Sequence, residues 1–311
     1  MPRAHQSGVL LLVCLATLLS VLTARAQGVA PAGPHRDDAG ERLVHEGSDG
    51  GSAGQAAAGA PDQAATVEDD DAAFRPLEPD YNLINLPTTL TLPLHKGDFH
   101  LTHRFSGNLR QGSFSDNAAT LFGIDEGVVM SFEYRFGIAR HVEIAASRTN
   151  FDRTIEISTK YDAFHQSASR PIGFSGIVSI EGTNNFDQQF APALGASISR
   201  GIANKLVLYA VPMWVHNSAA ATGVMRNTFF VGLGGHVRVL PNVFLVAEAS
   251  PRVAGYVIGD AEYGYGVEMR VGGHTFVLTF TNTQASTFAA LARGGFPQSL
   301  YLGFNLSRKF F

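Results

Sequence analysis

"GVVMSFEYRFG", residues 127–137, alternates large apolar side chains with polar ones from Met130 onward. Successive side chains of an extended strand point to opposite faces, so this spacing predicts a strand with two unlike faces. The apolar face would carry Val128, Met130, Phe132, Tyr134 and Phe136, and the polar face Ser131, Glu133 and Arg135.

The same alternation recurs along most of the chain, as in "HVEIAAS" (141–147), "TIEISTKYD" (154–162) and "YGYGVEMRV" (263–271). Helical periodicity is almost absent. Twelve strands are predicted, each close to the roughly 9 to 11 residues that a tilted strand needs to cross a bilayer. They are 98–106, 126–136, 139–149, 153–164, 172–183, 188–200, 204–216, 226–239, 242–252, 261–272, 274–283 and 299–310.

Short and long connections between these strands alternate, which is typical of an up-and-down barrel with both termini on the short-turn side. The short ones are at 137–138, 167–171, 201–204, 240–241 and 272–273, and the longer ones at 107–125, 217–226, 253–260 and 284–298. The predicted fold class is all-β: a transmembrane up-and-down antiparallel β-barrel of about 12 strands, preceded by a disordered N-terminal region.

A soluble sandwich or lipocalin-like barrel would reverse the two faces, and alternation alone does not say which face points inward. The membrane barrel is favoured because a mixture of ionic and small side chains suits a wet lumen better than a soluble surface. Aromatic residues also fall near strand ends, where interfacial girdles lie. These are Phe99, Phe136, Tyr161, Phe244, Tyr263 and Phe310.

Residues 1–26 have the features of a cleaved signal peptide: Arg3, an apolar run at 9–22, and Ala24-Arg25-Ala26 before the expected cleavage. The apolar run is too short for a membrane-spanning helix. Cys14, the only cysteine, lies inside it, so the mature chain is expected to have no disulfides. We therefore expect the mature chain to be exported to the bacterial outer membrane, with both of its termini in the periplasm.

Residues 27–87 form an acidic linker rich in Ala, Gly and Pro, with 12 acidic and 3 basic residues, whereas 88–311, the predicted barrel, carries 15 acidic and 18 basic. Few large apolar side chains are available to offset the entropy of ordering, so residues 27–75 are expected to be disordered. The acidic run 68–71 lacks the spacing of a calcium loop. Residues 74–93, with four prolines, are expected to be extended and docked on the barrel.

The polar faces supply candidate lumen-lining residues: Arg104, Glu133, Arg135, Glu143, Glu156, Lys160, Glu181, Arg238, Glu248, Glu268 and Arg270. Such charges either pair across neighbouring strands or line a constriction that filters polar solutes. Small side chains elsewhere on the inner wall favour an open lumen, unless residues 74–93 fill it. They are Gly173, Ser175, Ala191, Ala193, Gly195, Ser197, Gly232, Gly234, Gly264 and Gly266.

A narrow passive pore for small hydrophilic solutes is the function that these residues favour. The alternative is a non-conducting scaffold that presents its loops or its tail to partners. A third hypothesis, a lipid hydrolase using His165 and Ser167, lacks a recognisable carboxylate or oxyanion partner, so no enzymatic activity is predicted. No metal or other cofactor is predicted either, because His100 and His103 point to opposite faces of one strand. The acidic mature chain argues against nucleic acid as a partner.

"LYLGFNLSRKFF", residues 300–311, ends the chain on an alternating strand with Leu300, Leu302, Phe304, Leu306 and Phe310 toward lipid. It resembles the C-terminal signal by which outer-membrane barrels are recognised by the barrel-assembly machinery. The residues that would carry the signal are Phe304 and either Phe310 or Phe311, since the apolar face is in phase with Phe310 while Phe311 ends the chain.

Five stretches in order resemble a bacterial family of β-barrel proteins, domain of unknown function 5777: "FHLTHRFSGN", "LFGIDEGVVMSFEYRFGI", "VEIAASRTNFDRTIEISTKYD", "GGHTFVLTFTNTQ" and "YLGFNLSR". The resemblance spans roughly residues 88–311. It implies an outer-membrane β-barrel in contact with outer-membrane lipid, and it implies no activity. The sequence leaves the oligomeric state open.

Overall fold

The computed structural model describes residues 78, 80–218, 226–255 and 259–310. The predicted signal peptide, the expected disorder of residues 27–75, the acidic run 68–71 and Phe311 lie outside these residues. Within the described ranges, no helix is long and apolar enough to cross a membrane.

Thirteen strands in the described residues form one antiparallel sheet that closes on itself. Strand β10 continues β9 beyond Pro251, and both pair with β8, so the wall is a closed twelve-strand barrel. The strands are β1 (Gly97–Asn108), β2 (Val128–Ala139), β3 (Val142–Thr149), β4 (Ile155–Phe164), β5 (Gly173–Gly182), β6 (Gln188–Ile202), β7 (Leu206–Val215), β8 (Thr228–Leu240), β9 (Val243–Ser250), β10 (Arg252–Gly255), β11 (Glu262–Val271), β12 (His274–Thr281) and β13 (Tyr301–Phe310).

All twelve predicted strands are confirmed, with ends that move by a few residues. Gly97, which begins β1, pairs with Phe310 of β13 and with Phe136 of β2. Both ends of the barrel sequence therefore lie on one rim, the short-turn rim, which also carries the two-residue turns 140–141, 241–242 and 272–273.

The opposite rim, the long-loop rim, carries the longer connections and the short helices. These are α1 (Phe114–Ala119), α2 (Thr183–Phe186) and α3 (Phe288–Arg293), with 3₁₀ turns at Leu121–Glu126 and Phe151–Arg153. Ser113 caps α1 because its hydroxyl accepts from the Asp116 amide while the Asp116 carboxylate accepts from the Ser113 amide. The lack of helical periodicity in the sequence fits such short helices.

The outer surface is the apolar face of the strands, as predicted. Phe132 is 48% exposed and Leu233 is 49% exposed, whereas Lys160 is buried. The girdle assignment of Phe244 is wrong: this side chain is buried inside the barrel, where its ring lies 5.4 Å from the Arg238 guanidinium carbon. The error arose because "VFLV", residues 243–246, is apolar on both faces.

Residues 80–93, called the inner segment below, lie inside the barrel. Leu83, Ile84, Leu86 and Leu92 are each at most 1% exposed. The expectation that this stretch docks on the barrel is met, but it docks from within. The predicted boundary between linker and barrel, at residue 88, therefore has to move to about residue 80.

Candidate functional site

The lumen is the candidate site, and all eleven predicted lumen-lining residues are turned away from the exposed apolar face. Eight are buried, and Glu133, Arg238 and Arg270 are half-buried. Alternation along each strand places them there, because each shares its phase with buried rather than exposed neighbours.

Four of the five predicted charges on β2 to β4 pair with one another. Glu143 and Lys160 are direct partners across β3 and β4, and the Lys160 Nζ lies 3.1 Å from Glu143 Oε1. Glu133 and Arg135 form an ion pair along β2. The cations of Arg135 and Lys160 each lie 5.9 Å from the ring centre of Tyr81 on the inner segment. This part of the wall follows the pairing alternative rather than a row of free charges.

Of the other predicted charges, Glu181 contacts helix α3 at the long-loop rim, whereas Glu156, Glu268 and Arg104 face residues of other wall strands. Glu156 and Glu181 are direct partners across β4 and β5, and Glu181 Oε2 accepts from the Ala289 amide of α3 at 3.2 Å. Glu268 Oε2 lies 2.9 Å from His236 Nε2. Arg104 Nη1 donates to Asn305 Oδ1 at 2.7 Å.

Glu248 binds the tip of the inner segment. Its Oε2 accepts from the amides of Ile84 at 3.0 Å and Leu86 at 3.1 Å, and its Oε1 accepts from the Asn85 amide at 2.8 Å. The tip presents these amides together because it is a tight turn, in which the Leu83 amide donates to the Leu86 carbonyl. A buried carboxylate is satisfied here by three backbone donors, which form strong charge-assisted hydrogen bonds.

Two wall hydroxyls and one wall carboxylate bind the part of the inner segment that follows this turn. Ser197 Oγ donates to the Pro87 carbonyl at 3.0 Å, and Ser175 Oγ donates to the Thr89 carbonyl at 2.7 Å. The Leu92 amide donates to Glu143 Oε2 at 2.8 Å. These three backbone groups of the inner segment are thus paired with the wall, as buried backbone requires.

Asp80 connects the start of the inner segment to the closing strand. Ser307 Oγ donates to Asp80 Oδ2 at 2.8 Å, and Lys309 Nζ lies 3.8 Å from Asp80 Oδ1. Burial raises the pKa of Asp80, but Lys309, His100 and Ser307 outweigh it and hold the pKa below its ordinary value. The carboxylate is therefore charged at neutral pH.

Three glycines of the wall leave room for side chains of the inner segment rather than for solute. A Cβ atom at Gly232 would lie 2.6 Å from the nearest side-chain carbon of Leu86, and one at Gly234 equally close to Leu83. A Cβ atom at Gly264 would meet Ile84 at 3.1 Å. The space beside these glycines, which favoured an open lumen, is filled by leucine and isoleucine side chains of the inner segment. The sequence allows for this outcome, in which residues 74–93 fill the lumen.

A second segment, residues 282–299, enters from the long-loop rim. The alanines and Leu291 of its helix α3 are buried. Ala289, Leu291 and Ala292 pack in the same apolar cluster as Leu83, Tyr209 and Phe230. Between the two inserted segments remains a cavity of about 50 Å³, room for no more than a few water molecules. The two inserted segments thus enter the lumen from opposite rims.

Several site residues were missed by the sequence reasoning, among them Asp80, Asp98, His236 and Glu262. Glu262 shares the phase of Glu268 on β11, and Asp98 shares that of Arg104 on β1. Strand phase could have identified both. Asp80 lies outside the strands, and no periodicity marks it.

The histidines of β1 and the aromatic residues of β13 lie on the faces that the sequence predicts. His100 is buried inside, while His103 faces outward and stacks on Phe304 at 4.7 Å, so the opposite orientation of the two histidines is confirmed. Phe304 is half-buried and Phe310 is 50% exposed, both in the outward phase.

The prediction that His165 has no carboxylate partner is wrong. Its Nε2 lies 2.6 Å from Asp162 Oδ2. The Ser167 hydroxyl pairs with the Ser169 hydroxyl, with the two oxygens 3.2 Å apart.

Comparisons with known proteins identify the type of domain. A family model described as membrane bound beta barrel domain (DUF5777) matches residues 80–310, a range that includes the inner segment and the strands. None of the curated proteins matches the sequence.

Solved structures that are similar include three outer-membrane proteins. The COG4313 outer membrane channel from Pseudomonas putida F1 has 9% identity and a TM-score of 0.44, covering 75% of this chain and 99% of its own. The NanC porin has 6% identity and a TM-score of 0.45, covering 69% and 100%. The outer membrane protein Omp33 of Acinetobacter baumannii has 8% identity and a TM-score of 0.38, covering 70% and 98%.

Proposed function

The chain belongs to the membrane bound beta barrel domain family (DUF5777), and from this premise we propose that it is an outer-membrane channel for small hydrophilic solutes whose inner segment holds it closed. The observation that carries the proposal is the triple contact of Glu248 with the turn of the inner segment. Passage then requires residues 80–93 to leave the lumen.

The outer membrane is supported by the physical requirements of lipid. A closed barrel pairs every backbone donor and acceptor of its wall and leaves no open edge. The long strands are close to the length that a tilted membrane strand needs, and their exposed side chains are apolar. The predicted signal peptide would export the chain and leave the short-turn rim in the periplasm.

A reversible cross-link tests whether the inner segment is the gate. Thr89 Oγ1 of the inner segment lies 2.8 Å from Ser199 Oγ of β6, so cysteines at both positions can form a disulfide. In planar bilayers, the oxidised Thr89→Cys/Ser199→Cys protein should be silent, and brief openings should return after reduction. Thr89→Cys alone, treated with the same oxidant, serves as the control. Equal conductance in the oxidised and reduced states would exclude the inner segment as the gate.

The scaffold is the second candidate, and the many contacts between the wall and the inner segment favour it. A permanently filled barrel would hold the N-terminal linker at the short-turn rim and the long loops at the other. Single-channel recording of the intact protein separates the two candidates. Brief openings that the oxidised cross-link abolishes support the gated channel, whereas an intact folded protein that stays silent in bilayers supports the scaffold.

We also propose that the barrel-assembly machinery recognises β13 through its outward aromatic residues. Phe304 and Phe310 share one face of this strand. Phe310→Ala should lower the amount of folded barrel in the membrane more than Lys309→Ala does.

A further inference from the structure

Two adjacent turns of the short-turn rim bring together His141, Asp162 and His165. Asp162 Oδ2 lies 2.6 Å from His165 Nε2 and 3.3 Å from His141 Nδ1. One ligand atom from each residue falls within 4.8 Å of the others. The cluster shares the cavity at this rim with residues 90–93 of the inner segment, but it takes part in none of the hydrogen bonds described above between that segment and the wall.

The hairpin of β3 and β4 produces this arrangement. Val142 pairs with Tyr161, and the Asp162 amide donates to the His141 carbonyl at 2.9 Å. His141 lies in the two-residue turn between β2 and β3 with a φ of 65°, in the left-handed region. His165 follows Asp162 by three residues, just after β4 ends. Strand register therefore fixes the relative positions of the first two groups.

We propose that this cluster is a binding site for a divalent first-row transition metal ion, such as Zn²⁺. Two imidazole nitrogens and a carboxylate oxygen are a common ligand set for such ions. Zn²⁺ held at about 2.0 to 2.1 Å in tetrahedral geometry separates its ligand atoms by about 3.3 Å. The separation between His141 Nδ1 and Asp162 Oδ2 is 3.3 Å and equals that value, whereas the separation of 2.6 Å between His165 Nε2 and Asp162 Oδ2 is shorter, so a small side-chain shift would admit the ion.

The second carboxylate oxygen of Asp162 is buried and lacks a hydrogen-bond partner in the part of the chain that the structure describes, which also points to a bound cation. The Asp162 residue is 2% exposed, and its Oδ1 has no hydrogen-bond partner among the described residues. A carboxylate removed from water needs charge compensation, which a divalent ion would supply. The ligand positions left open face a vestibule of about 1010 Å³ that Arg140 also lines, so water or a small anion can complete the coordination.

The alternative is that both imidazoles only donate hydrogen bonds to Asp162, in which case the cluster braces the rim and binds no metal. Isothermal titration of the tag-free mature chain in detergent with ZnCl₂ separates the two. We expect one tight Zn²⁺ equivalent, weakened at least about tenfold by His141→Asn or His165→Gln. Asparagine is chosen at position 141 because it tolerates the left-handed backbone.

His274→Ala is the matched control, since His274 is an exposed histidine of the same vestibule outside the cluster. Cobalt gives an independent readout: Co²⁺ added to the wild type should produce visible absorption bands that His165→Gln abolishes and His274→Ala retains. Boiling-dependent gel migration verifies that each variant is folded. The proposal is overturned if the wild type binds no Zn²⁺, or if it binds Zn²⁺ no more tightly than folded His165→Gln. It does not depend on whether the barrel conducts.

Discussion

Glu248→Gln probes the contact between the inner segment and the wall while keeping the side-chain size. The glutamine retains one acceptor oxygen but replaces the other with an amide nitrogen. At least one of the amides of Ile84, Asn85 and Leu86 then loses its acceptor. A buried donor without a partner costs about 1–3 kcal/mol. A cost of about 2 kcal/mol raises the ratio of undocked to docked inner segment roughly 30-fold, because about 1.4 kcal/mol corresponds to a factor of ten.

Cysteine labelling measures this ratio without requiring conductance. The predicted mature chain has no cysteine, so Thr89→Cys introduces a single thiol that is buried while the inner segment is docked. A water-soluble maleimide should label it roughly 30 times faster in the Glu248→Gln background. Glu156→Gln is the control, because Glu156 is a buried carboxylate that faces Glu181 across the strand pair. Equal labelling rates in the parent and in Glu248→Gln would refute the role assigned to the triple contact.

Three further changes test the wall. The valine of Gly232→Val should collide with Leu86 and so speed maleimide labelling of Thr89→Cys. Gly176→Val is the control and should leave the rate unchanged, because a Cβ atom there meets nothing within 4 Å. Equal labelling rates in the two variants would contradict the packing of Leu86 against Gly232. Lys160→Met leaves Glu143 buried without its partner and should destabilise the barrel by about 3–5 kcal/mol, read as a lower temperature of gel-shift unfolding. Adding Glu143→Gln should recover most of the loss, and no recovery would argue against the pair. Leu233→Arg on the exposed face should lower the free energy of unfolding by about 2–4 kcal/mol if that position lies near the bilayer midplane. Urea titration in lipid vesicles measures this loss, and a loss no larger than that of Leu233→Phe would place the position outside the hydrocarbon.

The strands could be predicted because their signal is local. Alternation in a stretch such as 127–137 needs only neighbouring residues, and the same phase then assigns Glu133 and Arg135 to the inside. The signal fails where both faces are apolar. On β9, Phe244 packs inside the barrel and Leu245 faces outward, so the period of two vanishes from the sequence.

The inner segment could not be placed from the sequence, because its contacts are distant along the chain. Ile84 and Glu248 meet across 164 residues, and nothing near either residue indicates the other. The glycines at 232 and 234 are compatible with an open lumen and with one filled by leucines. The cluster of His141, Asp162 and His165 is an intermediate case, since it follows from the register of one hairpin once that register is known.

The two halves of the inner wall explain why a filled lumen is the stable arrangement. The wall of β2 to β4 is ionic, whereas β7 and β8 turn Val211, Met213 and Phe230 inward. An aqueous lumen would hydrate the first half but expose the second to water, at a cost proportional to its apolar area. The inner segment matches this division, because Leu83 and Leu86 pack on the apolar half while Tyr81 contacts the cations of the ionic half. A state that conducts therefore requires an apolar surface to be wetted, so we expect openings to be brief unless a partner binds the released segment.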